Sequence, residues 1–307
     1  MNFHTFELSY KLSTDDVRII YNELYNASGQ NYKPKDDCAV FKALQDYGII
    51  IFIKKYKQDE YNHHVLYYRV NPRRVLENHN YIGIFNSKNI DKLIKKFNIL
   101  IKTVSPFLPE FDSCNISRID YCSNVELNDQ AVIDSYINLL KRGYFPSKYT
   151  IKKYKNEKSK RNTLSKNGIT ITGNNGIEVT YYNKYRQLKE KNPKCLYIDN
   201  SKKIIRIEIR CFKKKVRHLT KKFKCTSASS FLKESDIIGK YIFKHYANIF
   251  YGTGDFYKLT DIYAMIDKSS CKKKSKKLMK ELVKSSATHS SLDRAFDILN
   301  FNKSQIK

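Results

Sequence analysis

The 307-residue sequence has no tryptophan and no Cys-x-x-Cys pair. Its seven cysteines, Cys38, Cys114, Cys122, Cys195, Cys211, Cys225 and Cys271, are odd in number and irregularly spaced. That argues against a disulfide framework and against a cysteine-built zinc site, and it makes reduced thiols in a cytoplasm the expectation. The opening Met1-Asn-Phe-His lacks the character of a signal peptide, and no apolar run approaches the length of a membrane span. Histidines do not cluster. His63 and His64 are adjacent on an expected strand and point to opposite faces, so at most one could reach a metal. His4, on the first expected strand, is a similar single candidate, and His79, His218, His245 and His289 are isolated. Acidic residues are scarce, 30 Asp and Glu against 58 Lys and Arg, which leaves a formal net charge of +28. Such a surplus exceeds the needs of solubility and favours a polyanion, because each neutralised phosphate releases condensed counterions. An AT-rich codon bias, which also raises Lys, Asn, Ile and Tyr, accounts for part of it.

What is present suffices for a folded core. Hydrophobic residues make up 41%, with 24 Tyr and 17 Phe, so the chain is no disordered basic tail. The length allows one large domain or two ordinary ones. Phe3 to Tyr10 is strand-like. Ser13-Thr14-Asp15-Asp16 caps a helix carrying Val17, Ile20, Tyr21 and Leu24, which Gly29 ends. Gly48 to Tyr56 and His64 to Val70 read as strands around a polar hairpin loop, Lys57 to Asn62. Ile90, Leu93, Ile94, Phe97 and Ile101 form a helical stripe, and Asp129 to Leu140 a second helix. Lys148 to Lys166 reads as an exposed loop or edge. Ile169–Thr172 and Ile177–Tyr182 flank Gly173-Asn-Asn-Gly as a hairpin. Tyr185 to Lys191 reads as helix and Ile204 to Phe212 as strand. From about Lys213 the pattern turns helical, with candidates at Phe231–Phe250, Leu259–Ile266, Ser275–Val283 and Leu292–Leu299. These predict an α+β fold, an antiparallel sheet with packed helices and then a helical C-terminal region, divided into residues 1–212 and 213–307. The last region is compatible with a DNA-binding helix-turn-helix and equally with a helical cap on the sheet.

Three expected strands place polar groups on one face by the period-two rule. Arg118 and Asp120 share a face, Glu178, Thr180 and Tyr182 another, and Arg206, Glu208 and Arg210 a third. If the three strands join one sheet, the faces converge. Carboxylates so gathered suit Mg²⁺ or Mn²⁺, and arginines suit phosphate. A tyrosine on that face could attack phosphorus and conserve the bond energy as a phosphotyrosine. Parity places Tyr181 with Ile177 and Val179 in the core and Tyr182 with Glu178 and Thr180 outside. Lys184 follows two residues later, able to lower the phenol pKa or hold a phosphate. The bland alternative is a solvated sheet face with cross-strand ion pairs.

Arg118-Ile-Asp-Tyr-Cys, Tyr181-Tyr-Asn-Lys-Tyr-Arg-Gln and Ile205-Arg-Ile-Glu-Ile-Arg resemble the core blocks of rolling-circle plasmid and phage replication initiators, the Rep-trans plasmid type and the filamentous-phage gene II/X type. Tyr67-Tyr-Arg-Val-Asn-Pro-Arg-Arg with Tyr81-Ile resembles their upstream region. The blocks span roughly residues 60–215 in the family's order. The resemblance implies that Tyr182 in a Tyr-x-Lys block with Lys184 is the nicking nucleophile, and that Asp120 and Glu208 bind the metal. Glu178 is near enough to be a third ligand, and Tyr185 offers a rival hydroxyl. Asn183 stands where an acid is frequent. Arg118, Arg206 and Arg210 are the expected DNA contacts. Origin DNA, single-stranded or melted, would be the substrate, host helicase and polymerase the partners, and a homodimer a further expectation. A mobilisation relaxase, which a histidine cluster would favour, and a repressor-like DNA-binding protein without a reaction are the rival readings.

Overall fold

The computed structural model describes residues 2–28, 33–35, 37–58, 61–77, 82–85, 87–142, 148–155, 162–163, 165, 167–191, 196, 198–251 and 259–289. Its strands are β1 (Asn2–Leu12), β2 (Lys33–Lys35), β3 (Cys38–Phe41), β4 (Ile49–Gln58), β5 (Tyr61–Val70), β6 (Asn115–Glu126), β7 (Tyr149–Ile151), β8 (Tyr154–Lys155), β9 (Asn162–Thr163), β10 (Gly168–Gly173), β11 (Ile177–Asn183) and β12 (Ile204–Phe212). The helices are α1 (Thr14–Ser28), α2 (Pro72–Val75), α3 (Ile90–Lys102), α4 (Gln130–Arg142), α5 (Lys184–Lys191), α6 (Lys213–Lys222), α7 (Ala228–Lys233), α8 (Ser235–Tyr251), α9 (Leu259–Lys268) and α10 (Lys273–His289). Ten strands form one sheet in the order β2-β3-β4-β5-β1-β6-β12-β11-β10-β7, antiparallel throughout. β8 and β9 pair separately. The α+β class read from periodicity is the class observed.

One sheet face is apolar. Phe6, Leu8, Leu66, Tyr68, Ile119, Tyr121, Ile171, Val179, Tyr181, Ile207 and Ile209 are buried in a common core with side chains of α1, α3, α6, α7 and α8. Burying such side chains is the main stabilising term, about 1.5–3 kcal/mol for each one fully buried. Ser13 starts α1 as a reciprocal cap: Asp16 N donates to Ser13 Oγ, and Ser13 Oγ donates to Asp16 Oδ2. Ile20 and Leu24 then face the core. Gly176, at φ +72°, supplies the left-handed residue that the β10–β11 turn requires.

β1 is central, between β5 and β6. Its pairing with β6 shifts between Phe3↔Tyr121 and Thr5↔Asp120. The extra residue is His4, and the bulge lets both Phe3 and Phe6 reach the core while turning His4 aside.

Several expectations need correction. The ladder of β4 and β5 continues through Lys57↔Asn62 and Gln58↔Tyr61, so the expected loop over 57–62 is mostly strand. Lys55, Tyr56 and Lys57 are all exposed, so alternation carries no signal there. The expected helix Phe231–Phe250 is two helices broken at Glu234. Phe231 and Leu232 before the break and Ile238 and Ile242 after it all face the same core, so the apolar spacing runs on unchanged. Tyr149–Ile151, in the stretch expected to be loop or edge, is the edge strand beside β10, in agreement with that expectation. The expected helix Leu292–Leu299 lies outside the described residues.

Candidate functional site

The three polar strands are neighbours in the order β6-β12-β11. Their register builds rows across the face opposite the core. Glu178 pairs with Arg210 and Arg210 with Asp120; Thr180 pairs with Glu208 and Glu208 with Cys122; Tyr182 pairs with Arg206 and Arg206 with Asn124. The convergence expected from parity is present. β1 adds Thr5 opposite Asp120 and Glu7 opposite Arg118.

In the first row the charges alternate and close on one another. Arg118 donates two hydrogen bonds to Asp120, at 2.8 and 2.6 Å, and a third to Glu7 at 3.1 Å. Arg69 also reaches Glu7, at 2.6 Å. The Arg210 guanidinium lies among three carboxylates, 2.7 Å from Glu178, 3.1 Å from Glu208 and 3.3 Å from Asp120. Lys152 holds the other Glu178 oxygen at 2.7 Å. Burial alone would lower the arginine pKa values, but Asp120 raises that of Arg118, and Asp120, Glu208 and Glu178 raise that of Arg210, so both end above the ordinary value.

The donor chemistry of Asp120, Glu178 and Glu208 is that of a hard divalent cation. Their oxygens are nonetheless engaged by guanidinium, ammonium and phenol hydrogens. Among the described residues no group of three or more His, Cys, Asp and Glu could hold a metal ion. In this arrangement the acids do not fit the expected Mg²⁺ or Mn²⁺, because Arg210 already fills their centre.

The second feature lies at Tyr182. Its hydroxyl donates to Glu208 Oε2 at 3.3 Å. Tyr181 is fully buried, as parity requires, and Tyr182 is half-buried rather than freely accessible. Burial and the charge of Glu208 push the Tyr182 phenol up, against the opposing pull of Arg206. Gly168 on β10 makes room for the strand that carries it: a Cβ there would stand 2.3 Å from the Tyr181 carbonyl and 2.7 Å from Tyr182 Cβ. Lys184 begins α5, with its ammonium 6.0 Å from the centre of the Tyr182 ring and bonded to Gln187 Oε1. Burial, reinforced by Arg206, lowers the Lys184 pKa to about 7.

Arg206 is fully buried. Its Nε donates to Asn124 and its Nη2 to the Ile82 carbonyl, while Nη1 has no hydrogen-bond partner among the described residues. Among the described residues none of its partners is a carboxylate. Its charge lowers the pKa of Lys184, Arg73 and His4 in turn. His4 falls to about 4, first by burial and then through Arg206. Arg73 enters by packing its guanidinium on Gly83, where a Cβ would lie 1.4 Å from Nη1. The second half of the face is therefore a cluster of bases with Glu208 at its border.

A cleft of about 510 Å³ opens on this face, with Tyr182, Glu208, Arg210, Glu178, Thr170 and Lys152 in its wall. Tyr185 is not among these residues; its ring meets Lys202. His63 stacks on Tyr56 at the far end of the β4–β5 hairpin, and His64 pairs with Lys55. Sequence reasoning did not single out Glu7, Asn124, Arg73 or Lys152. A charged residue between Phe6 and Leu8 was the available signal for Glu7. Asn124 shares the alternating face of Asp120, which was its signal; Arg73 on α2 and Lys152 just after β7 had none, because only the tertiary fold brings them here.

No protein-family model matches the chain. No curated protein matches it either. A solved structure of a rolling circle replication initiator protein from Geobacillus stearothermophilus is similar over 71% of this chain and 76% of its own length, at 13% identity and a TM-score of 0.32.

Proposed function

We propose that the chain initiates rolling-circle replication by cutting and rejoining one strand of origin DNA through Tyr182. The observation that carries this reading is a tyrosine hydroxyl held on a carboxylate in a cleft wall, beside the buried Arg206, which has no carboxylate partner among the described residues. A guanidinium buried without a counter-charge is costly unless an anion joins it. A phosphodiester is the anion that the residue blocks around Tyr182 and the surplus of positive charge favour.

In the reaction proposed, Tyr182 gives its phenolic proton to Glu208, and its oxygen attacks phosphorus. The Tyr182 Oη–P bond forms and the bond from phosphorus to the 3′-oxygen breaks. Lys184, with its pKa near 7, protonates the leaving 3′-oxygen. Arg206 offsets the charge of the transition state. The products are a 5′-phosphotyrosyl chain and a free 3′-OH, which a host polymerase extends behind a helicase. No step is assigned to a metal.

The test is incubation with supercoiled DNA carrying the parent origin, with and without Mn²⁺. Relaxed circles linked to protein are expected, with the adduct on Tyr182. Tyr182→Phe keeps the ring and should reduce adduct formation about 1,000-fold or more, while Tyr185→Phe leaves it unchanged. An adduct on Tyr185, or undiminished cutting by Tyr182→Phe, overturns the assignment.

A further inference from the structure

A second concavity lies away from Tyr182, where the sheet meets α6 and α7. It encloses about 640 Å³ and is lined from five elements. Its wall carries Lys11 from β1 and Lys213, Arg217 and Lys221 from α6. All four are exposed, no acidic residue lines the cavity, and none of the four makes an ion pair among the described residues. Val65 and Ile116, both partly exposed, form an apolar floor beside the buried Val216 and Phe231.

Lys213, Arg217 and Lys221 follow at intervals of four, so they stand one above another on a single face of α6. Like charges at that spacing destabilise a helix. Among the described residues no carboxylate relieves this stripe, so a bound polyanion would. The apolar floor adds a feature that a mere phosphate site does not need, and it suits the face of a nucleobase. At the rim Tyr56 stacks on His63 with ring centres 5.4 Å apart, and Tyr56 remains 38% exposed. Aromatic and cationic side chains together are what unpaired bases and their backbone bind.

We infer that this cavity binds single-stranded DNA at a distance from the bond that is cut, taking a base on the Val65–Ile116 floor and phosphates on the α6 stripe. Lys213 lies seven residues along β12 and α6 from Arg206, the partner of Tyr182, a span of about 23 Å at strand rise. A short strand seated at Tyr182 does not reach the cavity, and a longer one does. The inference rests on the proposed function for the direction of the strand, not for binding itself.

The experiment measures affinity of the full chain for labelled thymidine oligonucleotides of about 5 and about 20 residues, over a range of salt. The variant is Lys213→Gln/Arg217→Gln/Lys221→Gln, in which only exposed side chains change. It should bind the long strand at least about tenfold more weakly, with a log–log salt slope smaller by about 2, from three charges at roughly 0.7 each. Its affinity for the short strand should fall less, because a short strand keeps the Tyr182 cleft as an alternative seat. Equal affinity of variant and native chain for the long strand overturns the site. So does a length-matched polyphosphate or acidic peptide that competes as well as DNA, because the floor would then select nothing. Absence of a Tyr182 adduct together with the expected length dependence would discard the nicking reaction and leave this site standing.

Discussion

Around Arg210 each buried carboxylate meets a cation, whereas four residues back along β12 the buried Arg206 meets no carboxylate among the described residues. Both arginines sit on the same strand and the same face. Arg210 joins Glu178, Glu208 and Asp120 into a closed network, and Arg206 has an amide and a carbonyl for partners. The difference separates a guanidinium that closes a network of ion pairs from one that has no carboxylate partner among the described residues. Paired charge in a low dielectric stabilises both partners. An unpaired one carries a stability cost, which under the proposed function a phosphodiester offsets.

Removing the arginines should break the symmetry. Arg210→Met leaves three carboxylates without their shared cation and should destabilise the fold by about 3–5 kcal/mol. Arg206→Met removes an unpaired buried charge together with two hydrogen bonds, so its net effect should be no more than about 1 kcal/mol, with DNA cleavage lost. Denaturant melts of both variants measure this. Equal losses would show that Arg206 is as structural as Arg210.

Lys184 sharpens the contrast through pH. Its folded pKa, about 7, lies below its ordinary 10.5. Between these values the unfolded chain binds the extra proton, so stability rises with pH across that window. The penalty is complete below pH 7 and gone above about 10.5. Lys184→Met should therefore stabilise the fold on the order of 2–4 kcal/mol at pH 6 and hardly at all at pH 10.5, while slowing strand transfer. A variant that is no more stable at pH 6 than the native chain would place Lys184 among ordinary solvated lysines.

Much of this face was legible before any coordinates. Alternation in Ile116–Leu127, Ile177–Tyr182 and Ile204–Phe212 gave the polar sides of β6, β11 and β12, and parity separated Tyr182 from Tyr181. Pairing of those polar sides was not legible. That Arg210 would stand between Asp120 and Glu178 depends on β12 entering between β6 and β11, a matter of register across about ninety residues. Alternating carboxylates and guanidiniums read equally well as metal ligands with DNA contacts and as ion pairs. The bulge that turns His4 toward Arg206 left no trace in the pattern of Phe3 to Tyr10. The break at Glu234 was hidden because both helices bury the same spacing of apolar residues.

The smallest effect tests whether the paired half acts as one unit. Lys152 holds Glu178 Oε1, but its side chain is 44% exposed, and Glu178 keeps Arg210 on its other oxygen. An exposed partner of this kind contributes about 0–1 kcal/mol, screened by salt. Lys152→Met should cost roughly 0.5 kcal/mol at low salt and less at high salt, as thermal melts at two ionic strengths would show. Arg210 is harder to replace, because its planar group reaches three acids with donors fixed in a fork and is the cation paired with Glu208, whereas Asp120 also holds Arg118 and Glu178 also holds Lys152. If Lys152→Met instead costs as much as Arg210→Met, the network is cooperative through Glu178. The boundary between paired and unpaired halves would then lie at Glu208, the residue that touches both Arg210 and Tyr182.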